Sequence, residues 1–266
     1  MSCTSPILSI FPTRAQAGTA AGRHVAAAVQ QAVDRQGRCR IIFGCAPSQD
    51  DFFVALVAEA QAAPATWRQV EVFHMDDYVG LTAAHPQSFR HYLQQHLLSA
   101  VPVAAFHPLQ GEAADPAAEA QRYAALLAAA PIDVICLGIG ENGHIAFNDP
   151  PVADFQDPVL VKVVEMDHTC RQQQVNDGCF PTIADVPRHA LTITLPVFAQ
   201  AGLLSCVVPT VRKAAAVEHT LLGPIGPACP ATLLRTHPRA SLFLDRDAAS
   251  RLPADSAVCR AARVHS

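Results

Sequence analysis

The sequence predicts a single α/β domain, a three-layer sandwich in which a mostly parallel sheet lies between helices. Three observations carry that prediction. Short unbroken apolar runs of strand length recur along the 266 residues, and segments of helical period separate them, as in successive βαβ units. The composition, 50% hydrophobic and 16% charged, provides for a buried core and excludes a disordered chain. No repeat, linker or low-complexity stretch divides a length that one α/β domain can reach.

Taken in order, residues 13–36 are Ala- and Gln-rich with apolar positions at helical spacing. RCRIIFGC (38–45) follows as the first expected strand, apolar throughout as a strand buried on both faces should be. Ser48, with Asp51 three residues on, reads as the N-cap of a helix that continues through FFVALVAEAQ. VEVFHM (70–75) is a strand, and a polar loop with Gly80 and Pro86 leads to a helix over 88–98. Asp115 caps the helix 116–130, with Pro116 at its first position. DVICLGIG (133–140) runs into a Gly-rich turn, and 159–166, 190–195, 203–208 and 241–245 have strand character. VRKAAAVEHTLLG (211–223) is a helix closed by Gly223. The stretches 150–157 and 170–187 have no regular pattern and are expected to form loops or a lid.

Several function classes fall away. No apolar run approaches the length of about 18 residues that crosses a membrane, and the first residues lack a basic leader. Seventeen Arg and two Lys (Lys162, Lys213) form no basic block, so no nucleic-acid partner is expected. Nine Cys without a C-x-x-C pair, several inside strand-like runs, read as small hydrophobes in a reduced, cytoplasmic protein. No stripe identifies an oligomeric interface.

Ligands of such sheets bind beyond the carboxyl ends of the strands, and three expected strand ends carry polar residues: 44–49, 74–80 and 138–150. Asp76 and Asp77 can supply a general base, or simply shape a turn. In GIGENGHIAFNDP (138–150), Gly138, Gly140 and Gly143 allow close backbone approach. His144 there can exchange a proton near neutrality, with Glu141, Asn142 and Asp149 close by, or can be a structural histidine. The dinucleotide-binding G-x-G-x-x-G opening a helix is absent. The 44–51 turn, with Ser48 and Gln49 at a helix start, is suited to an anion, as is Lys213 near another. Simple capping and a solvated surface charge are the plainer readings of Ser48 and Lys213.

FHMDDYVGL, HPQSFRHYL, GEAADPAAEAQRY and GIGENGHIAFNDP, in this order and spacing, resemble glucosamine-6-phosphate deaminase, as does AVEHTLLGPIGPACPATLLRTHP farther on. The resemblance spans roughly residues 40–245. It implies a Rossmann-like α/β enzyme without metal or organic cofactor, acting on a small amino-sugar phosphate to give fructose 6-phosphate and ammonia. By the same resemblance His144 assists ring opening and Asp76 moves a proton between C2 and C1. Asp149 stands where the family has its ring-opening Glu, and Lys213 where it has a phosphate-binding Lys. Asp77, Gly140, Gly143, Ser48 and Gln49 complete the expected substrate site. Four departures mark the chain. Asn142 replaces an acid, Asp149 is one methylene shorter than Glu, and Ala46-Pro47-Ser48 replaces a Gly-Gly-Thr phosphate loop. The segment 171–180 is longer than usual and lacks a phosphate-binding Arg near its end, a role for which Arg171 is the substitute at hand. The catalytic half matches and the phosphate half is remodelled. Another amino-sugar phosphate, 6-phosphogluconolactonase chemistry and a non-catalytic sugar-phosphate sensor are the alternatives. The sensor would need a DNA-binding segment, and the 40 residues ahead of the first expected strand offer one Ala-rich helix.

Overall fold

The computed structural model describes residues 6–265; residues 1–5, which the leader argument includes, lie outside them. In chain order the elements are β1 (Ile7–Phe11), α1 (Arg14–Gln36), β2 (Cys39–Phe43), α2 (Asp50–Ala62), α3 (Pro64–Trp67), β3 (Val70–His74), β4 (Asp76–Tyr78) and α4 (Phe89–Leu93). There follow β5 (Ala105–His107), α5 (Pro116–Ala128), β6 (Val134–Leu137), β7 (Val161–Glu165), α6 (His168–Asn176), β8 (His189–Ile193), α7 (Leu195–Gln200) and β9 (Leu204–Val208). The chain ends with α8 (Ala214–Leu222), β10 (Ala240–Asp245), α9 (Ala257–Ala261) and β11 (Arg263–Val264).

Eight strands form one parallel sheet in the order β11-β1-β10-β9-β6-β2-β3-β5. The helices cover both faces, giving the expected α/β sandwich. The central strands β2, β6 and β9 are buried along their whole length, which is why they read as continuous apolar runs rather than alternating ones. One apolar layer gathers Phe52, Phe53 and Leu56 with Val25 and Val29 against β2, and the other gathers Tyr123, Leu127 and Phe198 against β6. From β2 the chain builds outward through β3 to β5, whereas β6, β9 and β10 build the other way. The switch point therefore lies between β2 and β6, where a crevice opens above the strand ends.

Local chemistry sets several boundaries, at Asp115 as expected. Thr13 caps α1 by accepting from the Gln16 amide, and Gly37 ends it in the left-handed region. Asp115 accepts from the Ala117 and Ala118 amides at the start of α5. Ser88 caps α4, whose continuation over 94–98 is a π-turn rather than α-helix.

Other expectations are corrected. The first strand is β1, upstream of α1, so the leading segment belongs to the sheet. Ser48 does not cap α2: residues Pro47–Gln49 form a 3-10 turn, α2 starts at Asp50, and no side chain caps it. Asp51 turns instead to the Arg14 guanidinium on α1. Residues Val211–Lys213 likewise form a 3-10 turn before α8. The strands expected over 159–166 and 190–195 are not in the main sheet. They are β7 and β8 of a separate antiparallel sheet of order β4-β8-β7. The stretch 170–187 contains most of α6, whose polar sequence hides a helix that packs over the crevice. β4, β5 and β11, each of two or three residues, lack enough length for a pattern to be read.

His74 joins the two sheets. It is completely buried, its Nε2 accepts from the Leu109 amide at 2.8 Å, and its Nδ1 lies 2.8 Å from the Asp76 carbonyl. An Nε2 that accepts leaves the hydrogen on Nδ1, so the ring is neutral. Burial holds its pKa down at about 3. A folded-state pKa below the unfolded value gives stability that is present above pH 6.5 and lost as the pH falls towards about 3. Acid unfolding of the wild type should therefore steepen across that window. His74→Gln should flatten the slope by about one proton, measured as denaturant midpoint against pH, at the cost of lower stability at pH 7.

Candidate active site

A cavity at the switch point is lined by the turns after β2, β3 and β6, by α6, and by Lys213. The turns after β2, β3 and β6 each bring one of the three separated sequence motifs to this point.

The β6 turn carries His144. Asn142 Oδ1 accepts from the His144 amide at 3.1 Å, which fixes the amide's orientation and points Nδ2 at Asp149 Oδ1, 2.9 Å away. His144 Nδ1 lies 2.7 Å from Asn142 Oδ1 and 2.9 Å from Asp149 Oδ1. Both neighbours are acceptors, so Nδ1 carries the hydrogen and Nε2 keeps a free lone pair. Burial opposes charge on Asp149. The hydrogen bond and attraction of His144, the Asn142 amide and the Asp167 N–H outweigh it and hold the carboxyl below its ordinary value. Glycine is required twice here. A Cβ on Gly140 would collide with the His144 ring, and Gly143 has φ +83° with Cys229 Sγ 2.5 Å from where its Cβ would be.

Asp76 and Asp77 open β4, and the alternation of a strand sends them to opposite sides. Asp76 lines the cavity, and burial, with the Asp77 carboxylate second, pushes its pKa well above the ordinary value. Asp77 is absent from the cavity lining. Its carboxylate meets Arg90 at 2.8 Å and accepts from the Tyr78 and Phe89 amides. It therefore anchors α4 beneath the site rather than facing a substrate.

The far side of the cavity is suited to an anion. Lys213 is only 6% exposed, yet its ammonium has no salt-bridge or hydrogen-bond partner among the described residues. Burial lowers its pKa, against the more distant pull of Asp177 and Glu141. Ser48, Gln49 and Gly140 line the same cavity; Gln49 Nε2 is held by the Val207 carbonyl at 3.1 Å. Arg171 does not reach it. Its guanidinium donates to the carbonyls of Ile183 and Val186 and so ties down the segment after α6. The α6 side chains that do line the cavity are Gln173 and Gln174, with Asp177 just past the helix end. Sequence reasoning missed them, because a Gln-rich run is unremarkable until the helix is placed over the crevice. His74, which fixes the backbone of Asp76, was also hidden inside a strand pattern.

The family model of glucosamine-6-phosphate isomerases/6-phosphogluconolactonase matches residues 12–243. A glucosamine-6-phosphate deaminase of Exiguobacterium sibiricum is 37% identical over 185 residues, 70% of this chain and 71% of its own length. One of Listeria monocytogenes is 36% identical over 197 residues, 74% of this chain and 82% of its own. Among solved structures, a monomeric glucosamine-6-phosphate deaminase superposes with a TM-score of 0.84 at 25% identity, covering 92% of this chain and 99% of that one. The 6-phosphogluconolactonase of Trypanosoma brucei, with a TM-score of 0.77 at 20% identity over 94% of this chain and 100% of that one, shares the fold.

The Gly140 contact yields a direct test. Gly140→Ala should leave the circular dichroism spectrum intact but swing the imidazole off Asn142 and Asp149. NMR of the His144 ring should then show loss of the Nδ1–H tautomer preference.

Proposed function

Since the chain belongs to the glucosamine-6-phosphate isomerase/6-phosphogluconolactonase family, we propose that it converts glucosamine 6-phosphate and water into fructose 6-phosphate and ammonia. The observation that carries this reading is the content of one cavity. It holds a buried carboxylate, an imidazole with a free nitrogen, and a buried ammonium that has no hydrogen-bond or salt-bridge partner among the described residues.

The residues divide the work. Lys213 binds the phosphate, whose charge replaces the counter-ion that the fold withholds. His144 takes the proton from the anomeric hydroxyl through Nε2 and returns one to the ring oxygen, while Asp149 stabilises the imidazolium formed in between. Asn142, which cannot exchange protons, orients the other two. In the open-chain aldehyde, Asp76 removes the hydrogen from C2 and O1 gains a proton, giving the enolamine. The proton then returns to C1, leaving an imine at C2 that water hydrolyses to the ketone and ammonia. Proton transfer to and from carbon is helped by a carboxyl of raised pKa, and burial supplies that shift at Asp76. Lactone hydrolysis moves no carbon-bound hydrogen and would leave Asp76 without a task.

Release of ammonia and fructose 6-phosphate from glucosamine 6-phosphate is the decisive assay, run beside galactosamine 6-phosphate and 6-phosphogluconolactone. Product from only one of the other two would replace the substrate or the reaction class. Asp76→Asn should lower kcat by about 10²–10⁴-fold. Because the Asp76 pKa is higher folded than unfolded, its stabilisation is present at acid pH and lost as pH rises. The Asn variant should therefore melt higher than wild type at pH 8. Lys213→Met should raise KM roughly 10- to 150-fold, the equivalent of about 1.5–3 kcal/mol for a charged hydrogen bond. An unchanged KM would remove Lys213 from the phosphate site.

A further inference from the structure

Cys170 is a buried thiol for which the reaction above has no use. It sits in the first turn of α6, and its Sγ shares a small volume with a His144 ring nitrogen and an Asp149 oxygen, all within 4.8 Å of one another. All three residues are buried. Asp149 also forms part of a second cavity, of about 310 Å³, lined further by Glu165, Asp167 and His168. Of the two, the first cavity sets Lys213 beside Asp76 and Asp177, whereas the second has three carboxylates and no Lys or Arg in its lining. Asp149 lies between them.

We infer that His144, Asp149 and Cys170 form an inhibitory chelating site for a borderline-soft divalent cation such as Zn²⁺, entered through the acidic second cavity. The donor set is one nitrogen, one oxygen and one sulfur, which selects Zn²⁺, Co²⁺ or Cd²⁺ over Mg²⁺ or Ca²⁺. Around a tetrahedral ion with bonds of about 2.0–2.3 Å, the donors stand about 3.3–3.7 Å apart. The present spread lies within about 1 Å of that, and water fills the fourth position. Acidic side chains at the entrance raise the local cation concentration. Burial first, then Asp149, Asp76 and Asp167, push the Cys170 thiol well above its ordinary pKa.

The protons balance simply. Cys170 loses its hydrogen to solvent as the sulfur–metal bond forms, and Asp149 binds as the carboxylate it already is. The His144 hydrogen moves from Nδ1 to Nε2, freeing the Nδ1 lone pair. One proton is released per ion. Nε2 then carries a hydrogen and cannot take the proton of the anomeric hydroxyl, so turnover stops. That consequence rests on the proposed role of His144; the binding itself does not.

Co²⁺ is the probe, added to the full-length protein in a non-chelating reductant. One equivalent should bind, with a near-ultraviolet sulfur-to-cobalt charge-transfer band that Zn²⁺ displaces and Mg²⁺ does not. Cys170→Ser should abolish the band and weaken Co²⁺ binding about 10-fold or more, while Cys179→Ser leaves both unchanged. Zn²⁺ should suppress ammonia release, and EDTA should restore it. A band that survives in Cys170→Ser, or binding without the band, overturns the site. If Cys170→Ser fails to fold, Glu165→Gln serves: it should slow Co²⁺ uptake several-fold at low salt, and an unchanged rate overturns entry by this route. A protein that releases no ammonia even without metal refutes the enzymatic reading, and the cobalt spectrum still decides the site.

Discussion

Two hydrogen bonds converge on the ring of His74, one from the Leu109 amide and one to the Asp76 carbonyl, while the Tyr123 hydroxyl bridges the amide and carbonyl of the same residue. This neutral, fully buried imidazole holds the chain where it leaves the parallel sheet and enters the antiparallel one with Met75 as the sole residue between strands. The direction of Asp76 follows from that crossing, as does the opposite direction of Asp77. Without an interior acceptor and donor at His74, two backbone groups would be left buried and unpaired at the point where the site needs most precision.

The same crossing gives two adjacent carboxylates different chemistry. Asp77 is raised by its burial, but Arg90 and two amides pull against that shift, and through them it secures α4. Asp76 has no such cation among the described residues, so burial, with the Asp77 carboxylate second, raises its pKa unopposed. A third carboxylate, Asp149, is held below its ordinary value by donors from three directions. Separating the pKa values of neighbouring acids by environment is how one site assigns a base for carbon and an anion for imidazole. Lys213 adds a buried positive charge, compensated at longer range by Asp177 and Glu141.

The departures from the family pattern become intelligible together. Asn142 offers both an acceptor to His144 and a donor to Asp149, which a deprotonated acid at that position could not do. The shorter Asp149 still reaches the ring directly, at 2.9 Å, so no water is needed to bridge the missing methylene. Pro47 removes an N–H from the turn after β2, and the cavity there is instead bordered by Ser48, Gln49 and the Gln side chains of α6. Arg171, the substitute for a phosphate-binding Arg, is spent on two backbone carbonyls. That side of the cavity carries one lysine, neutral donors and the Asp177 carboxylate.

The sequence by itself determined the parallel sheet, the main helices with the cap at Asp115, and the three strand ends that carry polar residues. Those features are local: burial on both faces leaves a continuous apolar run, and a cap is written within four residues. The tertiary structure alone decided which strands share a sheet. Residues 161–165 and 189–193 have the same β-forming composition whether they join the parallel sheet or, as here, pair antiparallel beside it. It alone decided that Asp77 turns to Arg90, that Lys213 is buried rather than solvated, and that Cys170 lies against Asp149. Each of these depends on a partner many residues away, and the energy of a charge or a thiol is set by the surroundings that folding brings to it.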